Sequence, residues 1–267
     1  MGSLPLLGRY FAASMRSQMQ YPTSAFLATL GQLAATGIEI VAVWALFDRF
    51  GAVRGWALGE ILFFYALINI AFSIADFVTR GFDVFGTDFV RTGAFDRLLL
   101  RPRSAALQLV GHDFRLSRFG RFLQAVVVLA VGTASLHFAW TPSAILLALW
   151  TIAGAAALFV AILILQAVIA FWTIESLEAV NAVTYGGVYA GQFPLSLYTR
   201  GMRNLMTYGF PLACVAYYPV LAILGRSDPL GAPDWLLPFT PAAGFVVLGL
   251  SFVAWGFGVS KYTSTGS

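Results

Sequence analysis

Long apolar stretches separated by short charged ones dominate the chain, and the apolar stretches have membrane-crossing length. A helix needs about 20 mostly apolar residues, rising about 1.5 Å each, to cross roughly 30 Å of hydrocarbon. Six stretches meet that need: Ala25 to Phe47, Trp56 to Val78, Phe122 to Trp140, Ala144 to Trp172, Leu205 to Leu224 and Phe239 to Ser260. The fourth carries no charge and outruns the bilayer thickness, which predicts tilt or protrusion. The fifth contains Pro211 and Pro219 and is predicted to be the least straight. None alternates polar and apolar residues in the manner of barrel strands. The pattern predicts an all-α integral membrane protein with about six transmembrane helices.

Two segments outside these spans are also patterned. In Leu4 to Gln20, the residues Leu4, Leu7, Phe11, Met15 and Met19 recur at spacings of three and four, opposite Arg9, Arg16 and Gln20. That is an amphipathic helix lying on the membrane face, either as an anchor alone or also as a contact for a cytoplasmic partner. Residues 80–121 are rich in Arg and Asp yet keep regular Phe and Leu residues, which a disordered loop would lack. Short helices across the cytoplasmic face are predicted there, broken at Arg101-Pro102. The run Phe95, Asp96, Arg97, Leu98, Leu99, Leu100, Arg101 is apolar on one side and charged on the other. It suits a groove on a soluble protein, or else a purely electrostatic anchor.

Charge placement orients the spans. With the N-terminus inside, thirteen of the sixteen basic residues fall on the inner side, including Arg200, Arg203 and Lys261; Arg49, Arg54 and Arg226 fall outside. That asymmetry predicts both termini in the cytoplasm. Trp44, Trp56, Trp140, Trp172, Trp235 and Trp255 lie near span ends, as an interfacial belt would. The net charge of +4 is explained by topology and does not point to nucleic acid. Charged residues make up 10% of the chain, against roughly 25% in a soluble domain, so its solvent is largely lipid. No cleavable signal stands at the N-terminus, so the first span is expected to act as an uncleaved signal.

Several chemistries are not encoded in this sequence. Lys261 is the only lysine and Tyr262 follows it, so a phosphate-binding loop with Lys-Ser or Lys-Thr is ruled out. Cys214 is the only cysteine, so no internal disulfide forms. His112 and His137 fall on opposite sides in this topology, and no protease motif occurs. Glu39 is the one clearly internal charge. At mid-bilayer an unpaired charge costs roughly 2.5–3.5 kcal/mol, so it should face a cavity or a neighbouring helix, in a packing role or along a substrate path. Asp76, four residues before Arg80, suits a local ion pair. Glu175 and Glu178 read as a solvated helix start. The pairs Gly31/Ala35 and Ala157/Ala161 have the spacing of close helix contacts.

The layout resembles the ABC-2 type transporter permeases, in particular the bacterial exporter subfamily associated with drug or viologen export. The residues that carry the likeness are Met15–Tyr21, the stretch FDRLLLRP from Phe95 to Pro102, the Gln192-Phe193-Pro194 to Arg203 segment, and the ending Tyr262–Ser267. The resemblance spans essentially the whole chain and implies one permease domain, residues 1–267, with an ABC-2 (type V exporter-like) fold in a bacterial inner membrane. It implies two copies of a separate ABC ATPase, which would hold ATP and Mg, no cofactor in this chain, and a second permease subunit, paralogous rather than identical. Coupling to the ATPase would lie at Phe95–Arg101, with a second cytoplasmic contact at Pro194–Arg203, including Arg200 and Arg203. The substrate path would run near Glu39, Asn69 and Tyr208, and the cargo would be hydrophobic or amphipathic. The rival readings are an ion-coupled carrier or channel working alone, with Glu39 as its ion site, and a non-transport membrane scaffold.

Overall fold

The computed structural model describes residues 3–110, 112, 117–173 and 177–263. Arg115, Glu175 and the ending Ser264–Ser267 lie outside the described residues. Among the described residues there is no β-strand. The first helix, α1 (Ser3–Met19), leads into α2 (Pro22–Phe50). Pro22 starts α2 where its missing N–H costs nothing. Gly51, at φ +71°, ends the helix and donates its N–H to the Phe47 carbonyl. The next helix, α3 (Leu58–Asp83), opens with the Glu60 carboxylate accepting the Ala57 N–H at 2.9 Å and closes into a wide π-helical turn, Phe85–Val90. Two short helices follow, α4 (Ala94–Leu99) and α5 (Ala105–Val110).

The second half begins with α6 (Ser117–Ser135), and then α7 (Pro142–Ile169), whose first turn is capped by Thr141. A shorter helix, α8 (Leu177–Gly191), leads to α9 (Arg200–Asn204) and the π-turn Leu205–Gly209. After Pro211 come α10 (Leu212–Val215) and α11 (Tyr217–Leu224), and the last described helix is α12 (Ala242–Lys261).

Among the described residues, four helical stretches are long and apolar enough to cross a membrane: Pro22–Phe50, Leu58–Val90, Pro142–Ile169 and Leu237–Lys261. A fifth exists if the pair Arg200–Gly209 and Leu212–Leu224, bent by 75°, counts as one span. The predicted weakness at Pro211 is therefore a sharp bend. Helix α6, with Arg118 and Arg121 near its start, and the 15-residue α8 do not meet that measure alone.

Buried on every side from Ile61 to Ser73, α3 is the centre of the bundle. It is apolar around its circumference from Ile61 to Phe72, apart from the buried Asn69, as a helix enclosed by neighbours must be. Contacts fix the directions of its neighbours. Gly59 lies against Ser135 and Asp76 against Arg118, so α6 is antiparallel to α3. Phe63 stacks on Trp140, Phe72 meets Phe159, and Gln166 reaches Asp83, so α7 runs parallel to it. Ile68 touches Gly191 while Phe72 meets Tyr185, so α8 runs back toward the α3 start. Along α7, α12 is parallel: Trp150 stacks on Phe245 and Phe171 lies against Gly258. By contrast α2 is almost unburied, and Phe26, Leu30, Ile38, Val41 and Trp44 stand exposed on it.

Two sequence expectations are corrected here. Trp56 and Trp255 are not belt residues; both are buried in aromatic clusters, because the contacts around them form only in the folded bundle. Within this chain Gly31 has open space around it, and a close helix approach lies at Gly154 and Gly244, where α7 meets α12. Asp76 pairs with Arg118 at 3.0 Å, and Arg80 turns to Asp83. The (i, i+4) spacing permitted the Asp76–Arg80 pair, but α6 places a second guanidinium beside Asp76.

Candidate coupling face and membrane cavity

At one end of the bundle, α4 is held by its apolar side. The Phe95 ring lies edge-on to Phe85 at 4.9 Å, Tyr262 at 5.0 Å and Phe171 at 5.5 Å, and also meets Trp255. These four rings come from the ends of α3, α7 and α12, so one short helix touches three long ones. Leu98 is buried in the same cluster. Gly93, at φ +68°, starts α4, and the Thr92 hydroxyl accepts the Ala94 N–H. Burial first, and the Asp96 carboxylate second, push the Tyr262 phenol above its ordinary pKa.

The other side of the segment is open. Arg97 and Arg101 are exposed, Leu99 is 43% exposed and Leu100 is 86% exposed. A residue absent from the predicted set braces this shape. Gln108 on α5 is buried and donates its amide to the carbonyls of Leu98 at 3.0 Å and Arg103 at 3.3 Å, while Arg101 donates to its oxygen. The only sequence hint was an amide set between Leu107 and Leu109. Gly81 on α3 lies so close to the Leu109 carbonyl that any side chain there would collide with it. These contacts fasten α5, and through it the α4 turn, to the end of α3.

Arg200 and Arg203 do not join this face. The Trp56 indole donates to the Ser196 hydroxyl at 3.0 Å, and Arg54 donates to the Leu197 carbonyl. The Pro194–Arg203 segment therefore sits at the start of α3, whereas α4 sits beyond its end. At 1.5 Å per residue the 26 residues of α3 separate the two by roughly 39 Å. The expectation of a second coupling contact is corrected, because α8 carries the chain to the far end before this segment begins. The far end is itself tied together. The Arg226 guanidinium lies over the Trp56 ring at 4.6 Å and pairs with Glu60 at 2.7 Å. Asp228 accepts the Tyr217 hydroxyl and the N–H groups of Leu230 and Ala232.

The three candidate path residues are separated. Glu39 is half-buried, and its carboxylate accepts the hydroxyls of Tyr65 and Tyr189, each at 3.2 Å, joining α2, α3 and α8. Asn69 is buried and donates to the Tyr65 carbonyl one turn back at 2.8 Å. Tyr208 is 84% exposed on the π-turn.

Nearer the α4 end, a polar cavity of about 240 Å³ opens among α2, α3, α6 and α8. Asp76, Arg80, Arg118, Arg121 and Tyr185 line it. Asp83 lies beside it, accepting Tyr185 and Gln166. None of these was among the sequence candidates for a site, because Asp76 read as a local ion pair and the arginines as loop or anchor charges.

A helical bundle with several apolar spans and an internal charged cavity defines a multi-pass membrane protein. The chain belongs to a particular group of them: the family model described as ABC-2 family transporter protein matches residues 33–266. Among curated proteins and among solved structures, nothing matches the chain. Membership makes it a permease component of an ABC transporter, and permeases of this family generally work with an ABC ATPase.

Proposed function

We propose that the chain is the permease of an ATP-driven exporter for hydrophobic or amphipathic cargo, moved by a separate ATPase present in two copies. In this reading six helices cross the membrane, namely α2, α3, α6, α7, α8 and α12, with both ends inside a bacterial cytoplasmic membrane. Residues 1–267 act as one domain, α1 lies at the inner interface, and residues 80–121 form the coupling loop. The bent pair from Arg200 to Leu224 becomes a re-entrant element on the outer side. A second permease, paralogous rather than identical, covers the exposed face of α2. ATP and Mg stay on the ATPase.

One observation carries this reading: α4 is anchored to three long helices through Phe95 and Leu98 while Leu99, Leu100, Arg97 and Arg101 face outward. A push on that outer face reaches three spans together, which is how a nucleotide-driven closure beneath the membrane would switch the side to which the cavity opens. The test is Leu99→Asp with Leu100→Asp in the complex with its ATPase. The expected result is loss of co-purification and of ATP-dependent transport with an unchanged melting temperature. Full retention of both would remove α4 from the coupling role.

The Glu39 cluster favours the second reading, a carrier that needs no ATPase. A carboxylate held by two phenols within the membrane has the chemistry of an ion site. Transport by the chain alone in vesicles without nucleotide would establish that reading and overturn the first.

A further inference from the structure

The polar cavity does not stand alone. Beside it, between α3 and α6, lies a groove of about 180 Å³ with a wholly apolar lining from Ile74, Phe77, Phe119 and Phe122. Ser73 and Arg118 belong to both. Ile74 and Phe119 are exposed, so the groove opens sideways to the surrounding lipid. Ser73 lies fifteen residues below Leu58, roughly 22 Å at helical rise. That depth is past the midplane of a 30 Å core and near one headgroup layer.

The charges in the cavity do not cancel. Arg118 is matched by Asp76, and Arg80 by Asp83. Arg121 lies within the field of Asp76 but forms no salt bridge of its own among the described residues, and it rests over the Phe72 ring at 5.3 Å. Ser73 is 5% exposed, yet its hydroxyl has no hydrogen-bond partner, and the Arg80 Nε is likewise buried without one. A surplus cation and orphaned donors beside an apolar trough form a two-part surface. A half-buried cation within the membrane and a buried hydroxyl are costly unless a ligand satisfies them.

We propose that this pair of cavities binds an amphiphile with one anionic phosphate-type head and an alkyl chain, taken up sideways from the inner leaflet. The head accepts hydrogen bonds from Arg121, Ser73 and the Arg80 Nε, and the chain lies along Ile74, Phe77, Phe119 and Phe122. This deepens the transport reading by giving it a ligand class, but binding itself requires no nucleotide and no ATPase.

The test uses the full chain in lipid nanodiscs without nucleotide, titrated with oleoyl lysophosphatidic acid. Lysophosphatidylcholine, with the same chain and a zwitterionic head, and inorganic phosphate serve as comparison probes. The wild type should bind lysophosphatidic acid saturably and about tenfold or more tighter than lysophosphatidylcholine, the size expected for a charge-assisted contact. Arg121→Gln should remove that preference, while Arg121→Lys keeps it within about threefold. Ile74→Trp, which fills the groove from its exposed side, should weaken lysophosphatidic acid and leave phosphate competition unchanged. Equal affinity for the two lysolipids, or an unaltered preference in Arg121→Gln, overturns the proposal. Inorganic phosphate competing as strongly as the lysolipid would mean a free-anion site and also overturns it. The Leu99→Asp, Leu100→Asp chain should bind as wild type, so a failure of ATP coupling and a failure of this site are read separately.

Discussion

Phe95 and Leu100 stand five residues apart, the first enclosed by four aromatic rings and the second open to solvent. Their substitutions should separate folding from coupling. Phe95→Ala leaves a cavity at the meeting point of three helices and should cost about 3–5 kcal/mol, read as a lower unfolding midpoint of the purified chain. Leu100→Asp removes no internal contact and should leave that midpoint unchanged. The sequence showed that Phe95–Arg101 has an apolar side and a charged side. It did not show where the boundary runs: Leu98 belongs to the anchor, and only Leu99 and Leu100 are free to meet a partner. Three consecutive leucines look alike until the turn they occupy is known. Gln108 was harder to find, because a glutamine clasping two carbonyls has the same local pattern as one facing water. Glu39 was legible because a carboxylate inside an apolar run needs partners, but Tyr65 and Tyr189 lie 26 and 150 residues away.

Helix existence was mostly written in apolar runs, whereas helix contacts were not. Four of the expected spans correspond to stretches of adequate length and apolarity, and α6 covers part of a fifth. The Leu205–Leu224 stretch became a bent pair because Pro211 cannot continue a helix. The segment that returns beside α3 is α8, whose first residues follow Glu175 and which has only 15 residues. Small residues illustrate the same limit. Many pairs at a spacing of four occur, but only packing distinguishes them. Gly244 lies on the Gly154 carbonyl with no space for a methyl group. Gly244→Ala should therefore push α12 away from α7 and cost about 1–3 kcal/mol. Gly249→Ala, in open space on the same helix, should be neutral or slightly stabilising. Thermal unfolding of the two variants beside wild type checks both.

Topology is decided across the whole molecule. In the proposed orientation, placing Arg200 and Arg203 at the far end leaves eleven basic residues on the inner side and five on the outer, so an inner excess remains. The arrangement makes a sharp prediction. In a Cys214→Ala background, Tyr208→Cys should react with a membrane-impermeant maleimide on intact cells. Leu100→Cys should react only after permeabilisation. Labelling of Tyr208→Cys only after permeabilisation would return the Arg200–Leu224 pair to the inner side.

Hydropathy determined that lipid is the solvent and that helices are the only regular elements to expect, and the single lysine, Lys261, determined that no lysine-based phosphate loop exists in this sequence. Those properties follow from composition and from the local need of every backbone group for a partner in hydrocarbon. Tertiary structure decided which tryptophans are core, which leucines face outward, which carboxylate pairs with which guanidinium, and that an arginine without an ion pair lines a polar cavity beside an apolar groove. Each of these depends on residues distant in sequence meeting at one depth of the bundle. An apolar helix face has the same composition whether it meets lipid, a neighbouring helix or a cavity.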